Sequence, residues 1–577
     1  MSKTIRRRPD PDTSSLAGSG LHPLLQRVYA ARGLASPDEL ELSLDRLIPP
    51  TQLLNAVRAA QLLADALAEQ RAILIVGDFD ADGATSTTLA VSALRAFGAT
   101  TVDYLVPNRF EYGYGLTPEI VDLAAQRKPD LIITVDNGIS SIDGVARARE
   151  LGIQTLVTDH HLAGRELPEA EVIVNPNQPG CEFPSKNLAG VGVIFYVMMA
   201  LRAELRRRGW FDNRPEVNLG QFLDLVALGT VADVVPLDRN NRVLVAAGLK
   251  RIRAGHAREG ITALLEVSNR QRHNVVASDM GFSLGPRINA AGRLDDMSVG
   301  IECLLSTDPS RARMLASQLH QLNQDRRVIE QGMQEEALQI IADMPMGASD
   351  GADVPMAVTL YQGGWHQGVI GILASRIKDR LHRPTIAFAD DGEQIKGSAR
   401  SIPGIHIRDI LDAVATRRPG LITRFGGHAM AAGLTIPRAA YDDFAAAFVE
   451  EVARHARDVS LQATIDSDGE LGPEDFDLAL ASELRFAGPW GQHFPEPVFD
   501  GEFEIAHQRL VGEKHLKLVL RPPGADTVVD AIAFNVDLEL WPDDSVARVS
   551  AAYRLDVNEF RGSRSVQLMI EQLSPLA

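Results

Sequence analysis

The chain has 577 residues, 45% hydrophobic and 23% charged, with a net charge of −18 and two cysteines. That length implies several domains, about three to four, and ordinary globular cores. Cys181 and Cys303 lie far apart and fit no zinc spacing, which argues against a disulfide framework and for a reducing cytoplasm.

The acidic total argues weakly against a polyanionic partner, because bound cations or a basic groove reverse the field locally. Residues 1–20 are polar and expected to be loose. No apolar run follows the basic start, so no secretory signal is expected. Residues 21–70 look helical, with Leu62 to Leu67 a good helix former.

Residues 71–175 repeat strand, turn and helix. Ile73 to Val76 is followed by a helix over Ala84 to Phe97, stopped by Gly98. Val102 to Val106 reads as a strand, Pro118 to Ala125 as a helix, and Leu131 to Val135 as a strand. Ile142 to Leu151 is helical up to Gly152, and Gln154 to Thr158 is a further strand. This alternation predicts a parallel sheet with helices on both faces.

Residues 186–300 read as mostly helical. Leu188 to Leu201 is uncharged but shorter than the roughly 18 apolar residues of a spanning helix, so it is expected in a core. From 308 to 344, apolar residues recur at helical spacing between Pro309 and Pro345, giving one long helix. A second α/β block starts at Met356. Short alternating runs after residue 462 suggest a small antiparallel barrel.

Three strand-like runs end in metal-type ligands. The first leads into Asp78-Phe79-Asp80-Ala81-Asp82-Gly83, the second into Asp136-Asn137-Gly138, the third into Asp159-His160-His161. In an open α/β sheet the ligand crevice lies at these carboxyl ends. Crowded carboxylates there are unfavourable without cations. On an extended loop, Asp80 and Asp82 would point the same way. One aspartate has an ordinary explanation as a helix N-cap; three do not. Mixed carboxylate and imidazole suit Mn²⁺ and Mg²⁺. A cation pair sharing a carboxylate is a common device for cleaving phosphodiesters, and Asp136 is the candidate bridge. Asp233 closes the run Gly229-Thr230-Val231-Ala232-Asp233; taken alone it reads as a cap or turn.

Arg109, in a Gly- and aromatic-rich loop, and Arg287, Asn289 and Arg293, within Gly285 to Arg293, are candidate substrate contacts. So are Ser398 and Arg400 beside Gly397, and His366 and His428, each set among glycines.

In this order, the acidic clusters and the Gly229 to Asp233 run resemble the four motifs of the DHH phosphoesterase superfamily. Gly426-Gly427-His428 resembles the signature of its DHHA1 companion domain. The layout is similar, over almost the whole chain, to the bacterial single-strand-specific exonucleases of that superfamily.

The resemblance implies an α/β fold. A flexible stretch (1–20) precedes a DHH catalytic domain with a parallel sheet (21–305) and a connecting helix (306–346). A smaller α/β DHHA1 domain (347–458) and a C-terminal OB-type barrel (459–577) follow. It implies 5′-to-3′ removal of mononucleotides from single-stranded DNA with two Mn²⁺ or Mg²⁺ ions, in recombination and repair. Asp80, Asp82, Asp136, His160 and Asp233 would ligate metal, with Asp78 and His161 as a supporting acid and a phosphate contact. Arg109, Ser398 and Arg400 would hold the 5′ phosphate, and Arg287 and His428 the strand. The barrel would grip single strands mostly by charge, since only 5% of residues are aromatic. A narrow channel between the two α/β blocks would admit single strands and refuse duplex.

Some longer relatives carry a further C-terminal domain, and functions tied to it are not expected here. A cytoplasmic monomer is expected, with a single-strand-binding protein and a RecQ-type helicase as partners. Two alternatives compete. A shorter-substrate phosphodiesterase or pyrophosphatase on the same core would normally lack the barrel. A non-catalytic scaffold would be expected to lose ligands, and all are present.

Overall fold

A computed structural model describes residues 3–108, 112–113, 115–343, 355–457, 459–538, 540–560 and 562–576. It divides into two compact units. One comprises Arg8–Asn323 and Asp468–Glu571. The other comprises Gln324–Ser467 with the N-terminal residues to Arg7 and Gln572–Pro575.

Strand β1 (Thr4–Arg7) lies in the segment expected to be loose. It pairs in parallel with Thr464–Ser467, which gives its backbone groups partners that a free tail would find only in water. The catalytic sheet follows: β2 (Ile73–Val76), β3 (Val102–Leu105), β4 (Leu131–Val135), β5 (Gln154–Thr158) and β6 (Val172–Val174). All are parallel, in the order β3-β2-β4-β5-β6. Helices cover both faces, so β2 and β4 are buried at every residue. That burial explains the unbroken apolar run of β2 and the run of β4, interrupted only by Thr134.

Helix boundaries lie within a few residues of expectation. Ala81–Phe97 ends at Gly98 with φ +105°, Pro118–Ala125 matches, and Ile142–Glu150 stops short of Gly152. Residues 21–70 are less helical than expected. Pro23–Ala30 and Ala56–Ala68 are helices, but the stretch between holds only single turns. The uncharged Leu188 to Leu201 run lies largely in Gly190–Arg207, a core helix. No helix among the described residues is long and apolar enough to cross a membrane. Pro309–Ala342 is one continuous helix.

The second unit carries a mixed sheet of β7 (Val358–Tyr361), β8 (Thr385–Asp391), β9 (Gln394–Arg400), β10 (Arg424–Gly427) and β11 (Ala431–Pro437). Its order is β10-β11-β9-β8-β7. Phe388, Phe444 and Phe448 stand in its core. After β12 (Thr464–Ser467), strands β13 (Phe499–Val511), β14 (His515–Arg521), β15 (Val529–Ala533), β16 (Arg548–Phe560) and β17 (Ser563–Leu576) form a closed barrel. Strand pairs β13–β14, β13–β16 and β14–β15 are antiparallel, whereas β15 and β17 run parallel.

Candidate metal centre and strand-binding residues

Strand β4 is central, so Asp136 at its end is flanked by the ends of β2 and β5. Asp136 takes φ +62°, a left-handed conformation that aspartate tolerates better than most residues. Asn137 then donates to the carbonyls of Val76 (3.2 Å) and Val135 (2.9 Å), stitching the tips of β2 and β4. Gly138 follows at φ +111°, where a Cβ would lie 2.5 Å from Thr134 Oγ1. Each residue of the Asp-Asn-Gly turn thus has its own task.

Asp80 and Asp82 do not share an extended loop. The helix starts at Ala81, so the alternation of an extended loop does not carry from Asp80 to Asp82. Asp80 is the N-cap, its Oδ1 accepting from Gly83 N at 2.9 Å. Asp82 lies in the first turn, 1% exposed, and accepts from the amides of Gly190 (2.6 Å) and Val191 (3.0 Å). Those amides begin the helix Gly190–Arg207, where free N–H groups favour an anion. The site therefore draws on backbone 108 residues away, which no local pattern announces.

Side-chain donors then form three overlapping groups, each with ligand atoms within 4.8 Å of one another. They are Asp78, Asp80 and Asp136; Asp82, His160 and Asp233; and Asp136, His160 and His161. At their junction, His160 Nε2 lies 3.1 Å from Asp136 Oδ1 and 3.5 Å from Asp233 Oδ2. Carboxylate oxygens mixed with imidazole nitrogen fit Mn²⁺ or Mg²⁺.

Asp159 belongs to none of these groups. Its carboxylate accepts from the amides of Ile139, His160 and His161 and from His161 Nδ1 at 2.7 Å. It orients the two histidines.

Electrostatics report the same crowding. Burial, and then Asp80, push Asp82 up to about 7. Burial and the surrounding carboxylates raise Asp136 and Asp233 well above the usual range. Burial disfavours a charged His161, but Asp159, Asp78 and Asp80 outweigh it and raise its pKa to about 9. Burial likewise opposes ionised Asp159, yet the His161 hydrogen bond holds it below the ordinary carboxylate value. Divalent cations bound here would relieve this crowding and let the acids stay ionised.

Close helix packing sets the geometry. A Cβ at Gly229 would lie 2.3 Å from Thr85 Oγ1 and 2.7 Å from Asp82 Oδ1, so only glycine lets the helix Leu223–Ala232 deliver Asp233 at its end. At Gly190 a Cβ would meet Asp136 Oδ1 at 2.7 Å. The helix Gly285–Leu294 clamps the first acidic loop. Asn289 Oδ1 accepts from Ala81 N at 2.7 Å, and a Cβ at Gly292 would strike the Phe79 carbonyl at 1.9 Å. Arg293 sits in the last turn of that helix. Arg287 is buried, with Nη1 donating to Ser283 O (2.6 Å) and Nε to His320 Nδ1 (3.2 Å).

In the other unit, Arg400 Nη1 donates to Ser398 Oγ at 3.0 Å and to Ala399 O at 2.8 Å. Burial lowers the pKa of its guanidinium. Ala431 pairs with Arg400, and His428 N donates to Ala431 O, so His428 shares that sheet end. Gly371, in the first turn of the helix Ile370–Leu381, belongs to this group although sequence reading passed over it. A Cβ there would lie 2.9 Å from Arg400 Nη2 and 3.0 Å from Ser398 Oγ. Its signal was a glycine following Gly368-Val369-Ile370. His366 Nδ1 accepts from Gly368 N at 3.0 Å. Arg109 lies outside the described residues.

Parallel sheet, clustered acids and companion domains define a DHH-type phosphoesterase. Family models agree: the DHH family N-terminal domain matches 72–230, the DHHA1 domain 353–454 and the RecJ OB domain 467–572. The chain is 57% identical to the single-stranded-DNA-specific exonuclease RecJ of Dickeya dadantii over 99% of both sequences. It also matches crystal structures of RecJ from Thermus thermophilus. With the Mn²⁺ complex the TM-score is 0.81 at 29% identity, covering 100% of this chain and 80% of the other. With the Mg²⁺ complex it is 0.75 at 28% identity, covering 100% and 78%. The chain belongs to the RecJ family of single-stranded-DNA-specific exonucleases.

Proposed function

We propose that the chain is a metal-dependent exonuclease that degrades single-stranded DNA from its 5′ end and releases 5′-mononucleotides. The observation that carries the residue assignment is the meeting of overlapping donor groups at the Asp136–His160 contact of 3.1 Å. Asp80, Asp82, Asp136, His160 and Asp233 would hold two Mn²⁺ or Mg²⁺ ions, with Asp78 as the supporting acid beside Asp80 and Asp136. When bound, the ions supply Lewis-acid activation of water and neutralisation of phosphate charge.

The chain's own groups do the rest. Asp159 holds the Nδ1 of His161 and favours its charged form, which suits the ring to a phosphate oxygen. The Gly190 and Val191 amides fix Asp82 in advance of the reaction. Arg400, Ser398 and Arg109 are assigned to the terminal 5′ phosphate. Arg287, Asn289, Arg293, His366 and His428 are assigned to the strand and its support, Asn289 through the loop it clamps.

The barrel disfavours the shorter-substrate phosphodiesterase reading. It exposes Phe534 and Phe560, which suit stacking on single-strand bases. The same reading places a monomer in the cytoplasm, meeting DNA supplied by a single-strand-binding protein and a RecQ-type helicase.

The test is single-stranded DNA labelled at either end, incubated with Mn²⁺, Mg²⁺ or chelator. The 5′ label is expected as mononucleotide at once, the 3′ label only late, and neither with chelator. Asp136→Ala is expected to bind DNA and release nothing. Release of the 3′ label first would refute the polarity.

A further inference from the structure

We propose that Phe282 is a base-stacking residue of this enzyme, receiving a nucleobase of the bound single strand beside the metal centre. The inference rests on the single-strand exonuclease reading and goes beyond it.

Phe282 is 81% exposed, more than any other large hydrophobic side chain among the described residues. An exposed phenylalanine on a loose loop would mean little, but this one stands on a rigid mount. It lies in a π turn, Met280–Leu284, inserted directly before the helix Gly285–Leu294. Such turns carry an extra residue that ordinary helix geometry would not accommodate, and they are frequent at functional sites. Its neighbours Met280, Ser283 and Leu284 are all buried.

Both ends of the turn are braced. Asp279 accepts from Val276 N at 3.0 Å and pairs with Arg270 at 3.2 Å. Ser283 O receives Arg287 Nη1 at 2.6 Å.

The mount also has a defined address. A Cβ on Gly281 would lie 3.4 Å from Val231 Cγ1, and one on Gly285 would lie 3.1 Å from Ala232 Cβ. The turn therefore rests on the two residues that immediately precede Asp233. The next residue, Val234, is 62% exposed at φ +60°, an outlier for a β-branched side chain. Strain of that kind persists where surrounding structure enforces it.

An exposed aromatic face, on a turn that packs against the two residues before Asp233 and is braced by a buried arginine, suits one ligand chemistry. That is a nucleobase whose phosphate lies at the metals. Every base has such a face, so the contact is independent of sequence, as an exonuclease requires. An apolar side chain in this position would not attract free phosphate, which separates base recognition from phosphate recognition.

The experiment uses the full chain and oligothymidylates, about 20 nucleotides long, carrying one abasic site at successive positions from the 5′ end. Digestion is followed with Mn²⁺, and binding is measured with Ca²⁺. For the wild type, digestion is expected to slow when the missing base reaches one fixed register. Phe282→Ala is expected to raise KM and weaken binding by about tenfold, with kcat nearly unchanged. It should also lose the pause, and Phe282→Trp should restore both. The side chain is exposed, so thermal melting should be the same for all three proteins. Equal binding and an unchanged abasic profile in Phe282→Ala would overturn the proposal. If the wild type digests no single strand, the exonuclease reading fails separately, and the binding comparison still decides the role of Phe282.

Discussion

Asp82 shows how one side chain is tuned by what surrounds it. Two backbone amides favour its charge, while burial and Asp80 oppose it, and its pKa rises to about 7. A carboxyl whose pKa is higher in the folded than in the unfolded chain contributes stability below the unfolded value, and that contribution is lost as pH rises through the folded value. Metal-free protein is thus expected to melt at lower temperature as pH rises from about 4 through about 7, a trend that metal loading should abolish. Because cations compete with these protons, Mn²⁺ affinity should fall on acidification below about 7. Calorimetry in buffers of different ionisation enthalpy should detect proton release on binding; pH-independent binding with no release would contradict the tuning. Gly190 gives a steric counterpart. Gly190→Ala would press on Asp136 and is expected to cost about 1–3 kcal/mol in stability and at least about tenfold in kcat. A Gly190→Ala enzyme with wild-type kcat would refute that packing role.

At the scale of elements, sequence and structure part in instructive places. The parallel strands, the helix stops at Gly98 and Gly152, and the long helix were legible because burial and capping leave local marks. The acids stood out because three successive strands ended in them. What stayed hidden was distant or depended on a boundary. The helix begins at Ala81 instead of Ala84, which sends Asp80 and Asp82 into different donor groups. Asp159 turns inward because four donors reach it from two turns. Asn289 reads as a substrate contact beside two arginines, yet its amide oxygen caps the acidic loop from 208 residues away. Asn289→Ala would leave the Ala81 amide without that partner. It should cost about 1–3 kcal/mol, read as a lower melting temperature, with weakened Mn²⁺ binding. Unchanged metal affinity would show the clamp to be dispensable.

For the whole molecule, the barrel's leading segment is fastened within the catalytic unit. Arg32 makes a two-pronged pair with Asp468 at 2.9 and 3.0 Å, both side chains almost fully buried. Trp490 stacks on Phe494 at 5.2 Å, and Arg242 lies over Phe494 at 4.3 Å. Asp468→Ala leaves a buried guanidinium without its counter-charge and should destabilise the protein by about 3–5 kcal/mol in chemical denaturation. A change below about 1 kcal/mol would mean the fastening contributes little. The net charge of −18 belongs to this scale too. It misleads as a guide to the partner, because the chemistry lies where acids are concentrated to collect cations.

The claim beneath all of this is that side chains from the ends of β2, β4 and β5 and from Asp233 hold two divalent ions together. Counting Mn²⁺ bound per chain at equilibrium, for wild type and Asp136→Ala side by side, tests it most directly. Two ions on the wild type and at most one, weakly held, on the variant is the predicted result. Equal stoichiometry and affinity in both proteins would contradict it.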